Sequence, residues 1–213
     1  MVDLDTALQH ATDLAAAGGR RILGITGAPG AGKSTVAARV VEHLGPDRAV
    51  VVPMDGFHLA DEVLVALGRR DRKGAPDTFD VDGYGVLLQR LRGATQTVYA
   101  PEFRREWEAA VAGAIPVPPD VPLVVTEGNY LLVWPQVAAL LDECWYLDVD
   151  DDARQDRLVR RRVGHGESEQ VARAWATGSD QRNAETVAAS RARADLVVSG
   201  SSGREASGRR AGG

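Results

Sequence analysis

Alternating strand-like and helix-like segments predict an α/β fold for this chain of 213 residues: a mostly parallel sheet with helices on both faces. Three observations carry that expectation. Short apolar runs at 21–26, 49–54, 121–126 and 143–149 read as buried strands. Between them lie segments whose apolar residues recur at helical spacing. A glycine-rich stretch, Gly27-Ala28-Pro29-Gly30-Ala31-Gly32-Lys33-Ser34, joins the first strand to a helix and fits G-x-x-x-x-G-K-[ST] at every fixed position.

That stretch makes the fold one of the P-loop nucleoside-triphosphate-binding type. Its glycines let successive backbone N–H groups converge on one anion, and the helix that follows adds its positive end. Lys33 would reach the β- and γ-phosphates, and the Ser34 hydroxyl would ligate Mg²⁺. Thr35 follows at the start of the helix.

The elements follow in order. Residues 3–17 form an amphipathic helix, with Leu4, Ala7, Leu8, Ala11, Leu14 and Ala15 on one face and Gly18-Gly19 ending it. Residues 34–44 form the helix behind the glycine loop. The strand 49–54 ends at Asp55-Gly56-Phe57-His58, and ligands of open α/β sheets sit beyond strand carboxyl ends. Position alone leaves Asp55 open between a site carboxylate and an acidic turn residue. Residues 59–67 and 82–91 read as helices. The basic stretch 68–77 between them reads as a loop, with Arg69 and Arg70 solvated. Residues 98–106 are extended and then polar, either a short strand in a substrate wall or a surface connection; 116–120 is a loop.

The next strand ends in Glu127. A carboxylate there holds Mg²⁺ or its water shell, because a hard cation takes oxygen ligands. Residues 134–141 form a short helix and 143–149 a strand. Asp148, Asp150, Asp151 and Asp152 read as caps of the helix 153–163. That helix carries Arg154, Arg157, Arg160, Arg161 and Arg162 and breaks at Gly164-His165-Gly166. An arginine-rich helix end with a glycine hinge suits a lid that closes over phosphates. Arg154 reads as part of a solvated face. Helices at 168–176 and 180–193 and a strand at 195–198 complete one domain, 1–198. Residues 199–213 are Gly, Ser and Arg with almost nothing apolar, the composition of a disordered tail.

Composition narrows the function. Net charge is −5, from 25 basic and 30 acidic residues, which argues against a nucleic-acid binder. No run is long enough to span a membrane and no signal peptide is evident, so no membrane partner is expected. The one cysteine, Cys144, excludes an internal disulfide and fits a reducing cytoplasm as a buried structural thiol. No Asn-Lys pair occurs, so the guanine-reading motif of GTPase switches is missing. A nucleotide-binding regulatory module, or a kinase-like chain without turnover, stands as the alternative to an enzyme.

Taken together, the glycine loop, Pro53-Met54-Asp55-Gly56-Phe57-His58-Leu59, Arg72-Lys73-Gly74-Ala75-Pro76-Asp77-Thr78-Phe79-Asp80, Glu127-Gly128-Asn129-Tyr130-Leu131-Leu132 and Asp180 with Asn183-Ala184 resemble the P-loop small-molecule kinases that include uridine kinase, phosphoribulokinase and pantothenate kinase. The nearest resemblance is to a bacterial subgroup labelled nucleoside/nucleotide kinase or fructose-transport-system kinase. It implies an ATP- and Mg²⁺-dependent phosphotransferase acting on a hydroxyl of a small metabolite, most readily a nucleoside or a sugar. It makes Asp55 the base toward the accepting hydroxyl and Lys33 its catalytic partner. It places Glu127 near Mg²⁺, Arg157, Arg161 and Arg162 in the lid, and His58, Phe79, Tyr84, Arg105 and Tyr130 in or beside the acceptor pocket. Homodimers are common among such relatives. The chain departs from the subgroup in having Ser179-Asp180 before the late Asn-Ala pair. Uridine kinases continue their aspartate with serine, phenylalanine and tyrosine. This chain has Asp55-Gly56-Phe57-His58, so the motif does not license uridine.

Overall fold

A computed structural model describes residues 1–200 of the chain. In chain order its main elements are α1 (Leu4–Ala16), β1 (Arg21–Thr26), α2 (Lys33–Leu44), β2 (Ala49–Val51), α3 (Asp61–Ala66), α4 (Val81–Arg92), β3 (Val98–Arg104), β4 (Ala109–Val117), β5 (Leu123–Gly128), α5 (Pro135–Ala138), β6 (Glu143–Asp148), α6 (Asp151–Gly164), α7 (Glu169–Thr177), α8 (Ser179–Ala188) and β7 (Leu196–Ser199). Short 3-10 turns fill 54–57, 70–72, 76–78 and 191–193.

Five strands form one parallel sheet in the order β2-β5-β1-β6-β7. Successive residues of each strand point to opposite faces, so the strands feed two cores. Ile22, Val124, Cys144 and Tyr146 pack on one side with Leu87, Leu88 and Leu91 of α4, Val137 of α5 and Val187 of α8. Leu23, Ile25, Leu123, Val125, Trp145 and Leu147 pack on the other with Ala7, Leu8 and Ala11 of α1 and Ala37 and Val40 of α2. A sheet wet on neither face explains the unbroken apolar runs.

β1 is central. Thr26, its last residue, lies opposite Gly128 of β5 and Tyr146 of β6. The glycine loop therefore opens between the carboxyl ends of two neighbours, where the strand order reverses. At its other end, Asp142 accepts from the backbone N–H of Ile22 (2.8 Å), from Arg21 (3.0 Å) and from Arg92 (2.9 Å). One carboxylate thus joins β1, the α5–β6 connection and α4.

Two expectations need correction. First, β3 and β4 form an antiparallel hairpin apart from the main sheet, with a register shift between Ala100 and Glu102. The hairpin runs through Pro116 and Val117, which the sequence suggests are loop. β4 is half-exposed and rich in alanine, so it shows neither a clean alternation nor a continuous apolar run. Second, the boundary at 198 falls inside β7. The Ser199 N–H donates to the Val2 carbonyl (2.9 Å) and that of Gly200 to the Asp148 carbonyl (2.8 Å). The rest of the expected tail, 201–213, lies outside the described residues.

Burial raises the pKa of the Asp142 carboxyl, but the bonds from Arg92, the Ile22 N–H and Arg21 outweigh it and leave it lowered from 3.8. A lowered carboxyl pKa stabilises the folded state above its unfolded value, and that contribution fades as pH falls through the folded one. The Asp142→Asn variant is therefore expected to be less stable than wild type at neutral pH by about 1–3 kcal/mol. In urea titrations at several pH values, the difference should hold down to the ordinary aspartate range and shrink only below it.

Candidate active site

The loop between β1 and α2 encloses its own lysine. Lys33 is 8% exposed, and its Nζ donates to the carbonyls of Gly27 (3.0 Å) and Ala28 (3.1 Å) and to Oδ1 of Asn129 (2.7 Å). The Ser34 hydroxyl donates to Oε1 of Glu127 (3.0 Å). The start of α2 is thus tied to the end of β5. Gly30 has φ +82°, and a Cβ on it would stand 2.6 Å from the Arg154 carbonyl, so only glycine lets the loop pass under α6.

Asp55 lies in the 3-10 turn that follows β2. β2 pairs with β5, and a Cβ on Gly128 would stand 2.5 Å from that of Met54. This close approach seats the turn against the β5 end, so the residues next to that contact, Asp55 and Glu127, open into one cleft.

The cleft measures about 960 Å³. Pro29, Gly30, Gly32, Lys33, Ser34 and Thr35 line its floor, with Asp55 and Glu127 beside them. Arg157, Arg161 and Arg162 of α6 line the lid side, and His58, Phe79 and Arg105 the side toward the hairpin. The Ala31 side chain is buried, while Ala28 and Ala31 line a smaller cavity of about 390 Å³ behind the loop. Gly27 lines neither, and contributes the carbonyl that holds Lys33.

Two of the expected pocket residues do not line the cleft. Tyr84 is fully buried in the core beneath it, its hydroxyl 2.5 Å from that of Thr126, which donates to the Val52 carbonyl. Tyr130 is fully buried as well, and its hydroxyl donates to the Gly74 carbonyl (2.5 Å), pinning the 70–80 loop. Both support the wall from behind.

The arginines of α6 divide. Arg154 is 1% exposed, its Nε donating to Asp151 (2.6 Å) and a terminal nitrogen to Gln181 of α8. The expectation of a solvated Arg154 fails because α8 covers that face, which helical spacing alone does not reveal. Arg157 donates to the Ala31 carbonyl (3.2 Å), so it lies against the phosphate loop. Arg162 is held within the lid, donating to Glu167 (2.8 Å) and lying 4.5 Å over the Trp175 ring. Arg162 Nε, Glu167 Oε2 and Asp180 Oδ2 are buried without a hydrogen-bond partner, and all three residues line the cleft.

Sequence reasoning assigned no role to Asn129, Lys73, Phe103 or Asp180. Lys73 is 10% exposed and ties the loop to both sides, donating to Asp61 (2.7 Å) and to the Glu108 carbonyl at the hairpin tip (2.8 Å). Only the motif segments holding Asn129, Lys73 and Asp180 signalled them; Phe103 had no signal.

The donor set fits Mg²⁺ with a triphosphate. A hydroxyl and a carboxylate, hard oxygen donors, meet beside a lysine and a turn of backbone N–H groups. Burial lowers the Lys33 pKa, with Glu127 and Asp55 opposing and Arg161 reinforcing. Burial also raises that of Glu127, against the pull of Lys33. An anionic ligand with a divalent cation would compensate both groups.

Such a cleft, at the carboxyl ends of a parallel sheet with an intact phosphate loop, defines a P-loop kinase. Residues 22–205 match the model of the phosphoribulokinase/uridine kinase family, and the chain belongs to that family. It is 31% identical to the uncharacterized protein YggC of Escherichia coli K12 over 188 residues, 84% of this chain and 77% of that one. It is 32% identical over 160 residues to a Schizosaccharomyces pombe protein named as a uridine kinase homologue C227.14, covering 69% of this chain and 68% of that one. Among solved structures, the "putative fructose transport system kinase" of Silicibacter sp. TM1040 superposes with a TM-score of 0.84 at 36% identity, over 92% of this chain and 99% of that one. No helix among the described residues is long and apolar enough to cross a membrane.

Two measurements test this geometry. Calorimetric Mg-ATP affinity is expected to weaken as pH falls through a value above 4.5, the ordinary one for glutamate, because Glu127 loses its charge early. The Glu127→Gln variant should bind more weakly and lack that acid limb. Arg154→Ala should lower unfolding free energy by about 2–4 kcal/mol in urea. A solvated arginine would change it by no more than about 0.5 kcal/mol.

Proposed function

We propose that this protein is an ATP:alcohol phosphotransferase that phosphorylates a hydroxyl of a small metabolite, with nucleosides and sugars as its acceptor class. The observation that carries the reading is the convergence, in one cleft, of Lys33, Ser34 and Glu127 on the floor, Asp55 beside them and Arg157 and Arg161 above. A regulatory nucleotide binder has no need of a carboxylate beside the phosphate end. The relatives named as uridine and pantothenate kinases act on small acceptors and support the class without fixing the substrate.

In this reading the backbone N–H groups of residues 27–34 and the Lys33 ammonium hold the triphosphate, and Ser34 and Glu127 hold Mg²⁺. Bound Mg-ATP supplies the phosphoryl group and neutralises charge on the phosphates. Asp55 orients the acceptor hydroxyl and takes its proton as the oxygen attacks the γ-phosphorus. The new O–P bond forms, the bond to the β,γ-bridging oxygen breaks, and ADP leaves. Arg157 and Arg161 offset the charge of the transferring group, and closure about 164–166 excludes water.

The test is ADP release with Mg-ATP across uridine, cytidine, pantothenate, fructose and other sugars. One acceptor class should stimulate release, and Asp55→Asn should cut kcat by about 100-fold or more with ATP affinity preserved. An acceptor used equally well by the variant removes Asp55 from the mechanism. No stimulation by any acceptor, with ATP still bound, favours the regulatory alternative.

A further inference from the structure

One polar group on the acceptor side has its hydrogen-bonding state dictated by its surroundings. His58 closes the 3-10 turn that carries Asp55. Its ring lies between those of Phe79 (centroids 4.1 Å apart) and Phe103 (4.8 Å), so it is clamped between the 76–79 loop and the hairpin. Nδ1 stands 2.8 Å from the Asp55 backbone carbonyl. A carbonyl oxygen only accepts, so Nδ1 must carry a proton. Burial lowers the imidazole pKa below 6.5. Asp55 and the bond to its carbonyl oppose that, Lys73 reinforces it, and Glu108 opposes it, with the lowering prevailing. The ring is therefore neutral at pH 7, and Nε2 carries a lone pair.

Nε2 has no hydrogen-bond partner among the described residues, and His58 lines the cleft. Side chains three residues apart on a 3-10 turn lie above one another. Asp55 and His58 are so placed, and the acceptor meets a proton-taking carboxylate and, next to it, a group that accepts a hydrogen bond and cannot donate one.

We propose that His58 sets acceptor specificity. Its Nε2 accepts a hydrogen bond from a second hydroxyl of the acceptor, a neighbour of the one that Asp55 deprotonates, which makes the preferred substrates polyols rather than isolated alcohols. The inference rests on the phosphotransferase reading and narrows it. Phe79 and Phe103 keep the imidazole in place, and the Asp55 carbonyl keeps its tautomer. A buried acceptor left without its donor weakens binding and transition-state alignment together, which is how such a site rejects an analogue lacking one hydroxyl.

The experiment compares kcat/KM for the best acceptor of the panel and for its deoxy analogue lacking the neighbouring hydroxyl, in wild type, His58→Phe and His58→Gln. Wild type should favour the polyol by about tenfold to hundredfold. His58→Phe should lose that factor on the polyol, bringing the ratio near one. His58→Gln, whose amide oxygen replaces the acceptor, should recover part of it. Equal losses on both acceptors would make His58 a structural residue and overturn the inference while leaving the phosphotransferase intact. Absence of turnover with every acceptor would remove the reading beneath it and the inference with it. Nitrogen-15 NMR of the free protein gives a second readout that does not depend on activity. It should show the Nδ1–H tautomer at neutral pH, and an Nε2–H tautomer or an imidazolium there overturns the inference directly.

Discussion

The Lys33 ammonium, enclosed by the carbonyls of Gly27 and Ala28 and the amide oxygen of Asn129, is the interaction on which the rest of the cleft depends. A buried cation is costly unless its hydrogens are bonded, and these three acceptors meet that need. They come from the glycine loop and the residue just past β5, so bonding the lysine also fixes the loop to the strand beside it. The bond between Ser34 and Glu127 repeats the link one residue further on.

The sheet supplies the rigidity behind that arrangement. β1 is flanked on both sides, and the helices cover both faces, so its carboxyl end can shift little. The Gly128–Met54 approach then carries the same rigidity to the turn bearing Asp55. The two carboxylates of the cleft are thus placed by backbone contact, whereas the lid and hairpin meet it through side chains. Arg157 touches the loop, Arg162 stays with Glu167 and Trp175, and Lys73 bridges the basic loop to the hairpin tip. Such contacts re-form more readily than a packed sheet does, which suits parts that open and close around a substrate.

The acceptor wall shows a division of labour. Residues on its surface are polar or cationic, while the aromatic rings behind them fill space. Phe79 meets both Tyr130 and Trp134 edge-on or tilted, and the His58 ring packs on Phe79 in turn. Tyr130 adds one hydroxyl bond to the loop backbone. Tyrosines that a motif places beside a pocket serve here by holding its wall.

By itself the sequence determined the parallel α/β architecture, the strand–loop–helix around Lys33 and the acid at the end of β5. Each rests on local pattern: apolar runs, helical spacing and glycines at fixed intervals. The tertiary structure alone decided matters of packing between distant segments. It buried Arg154 under α8, put Tyr84 and Tyr130 behind the wall, paired 98–104 with 109–117 as a hairpin over the cleft, and drew Ser199 into the last strand. Periodicity reports which face of an element is apolar, but not which neighbour covers its polar side. A strand half-exposed on a two-stranded hairpin carries too weak a pattern to be read, and the state of His58 follows from a carbonyl and two rings brought to it by folding.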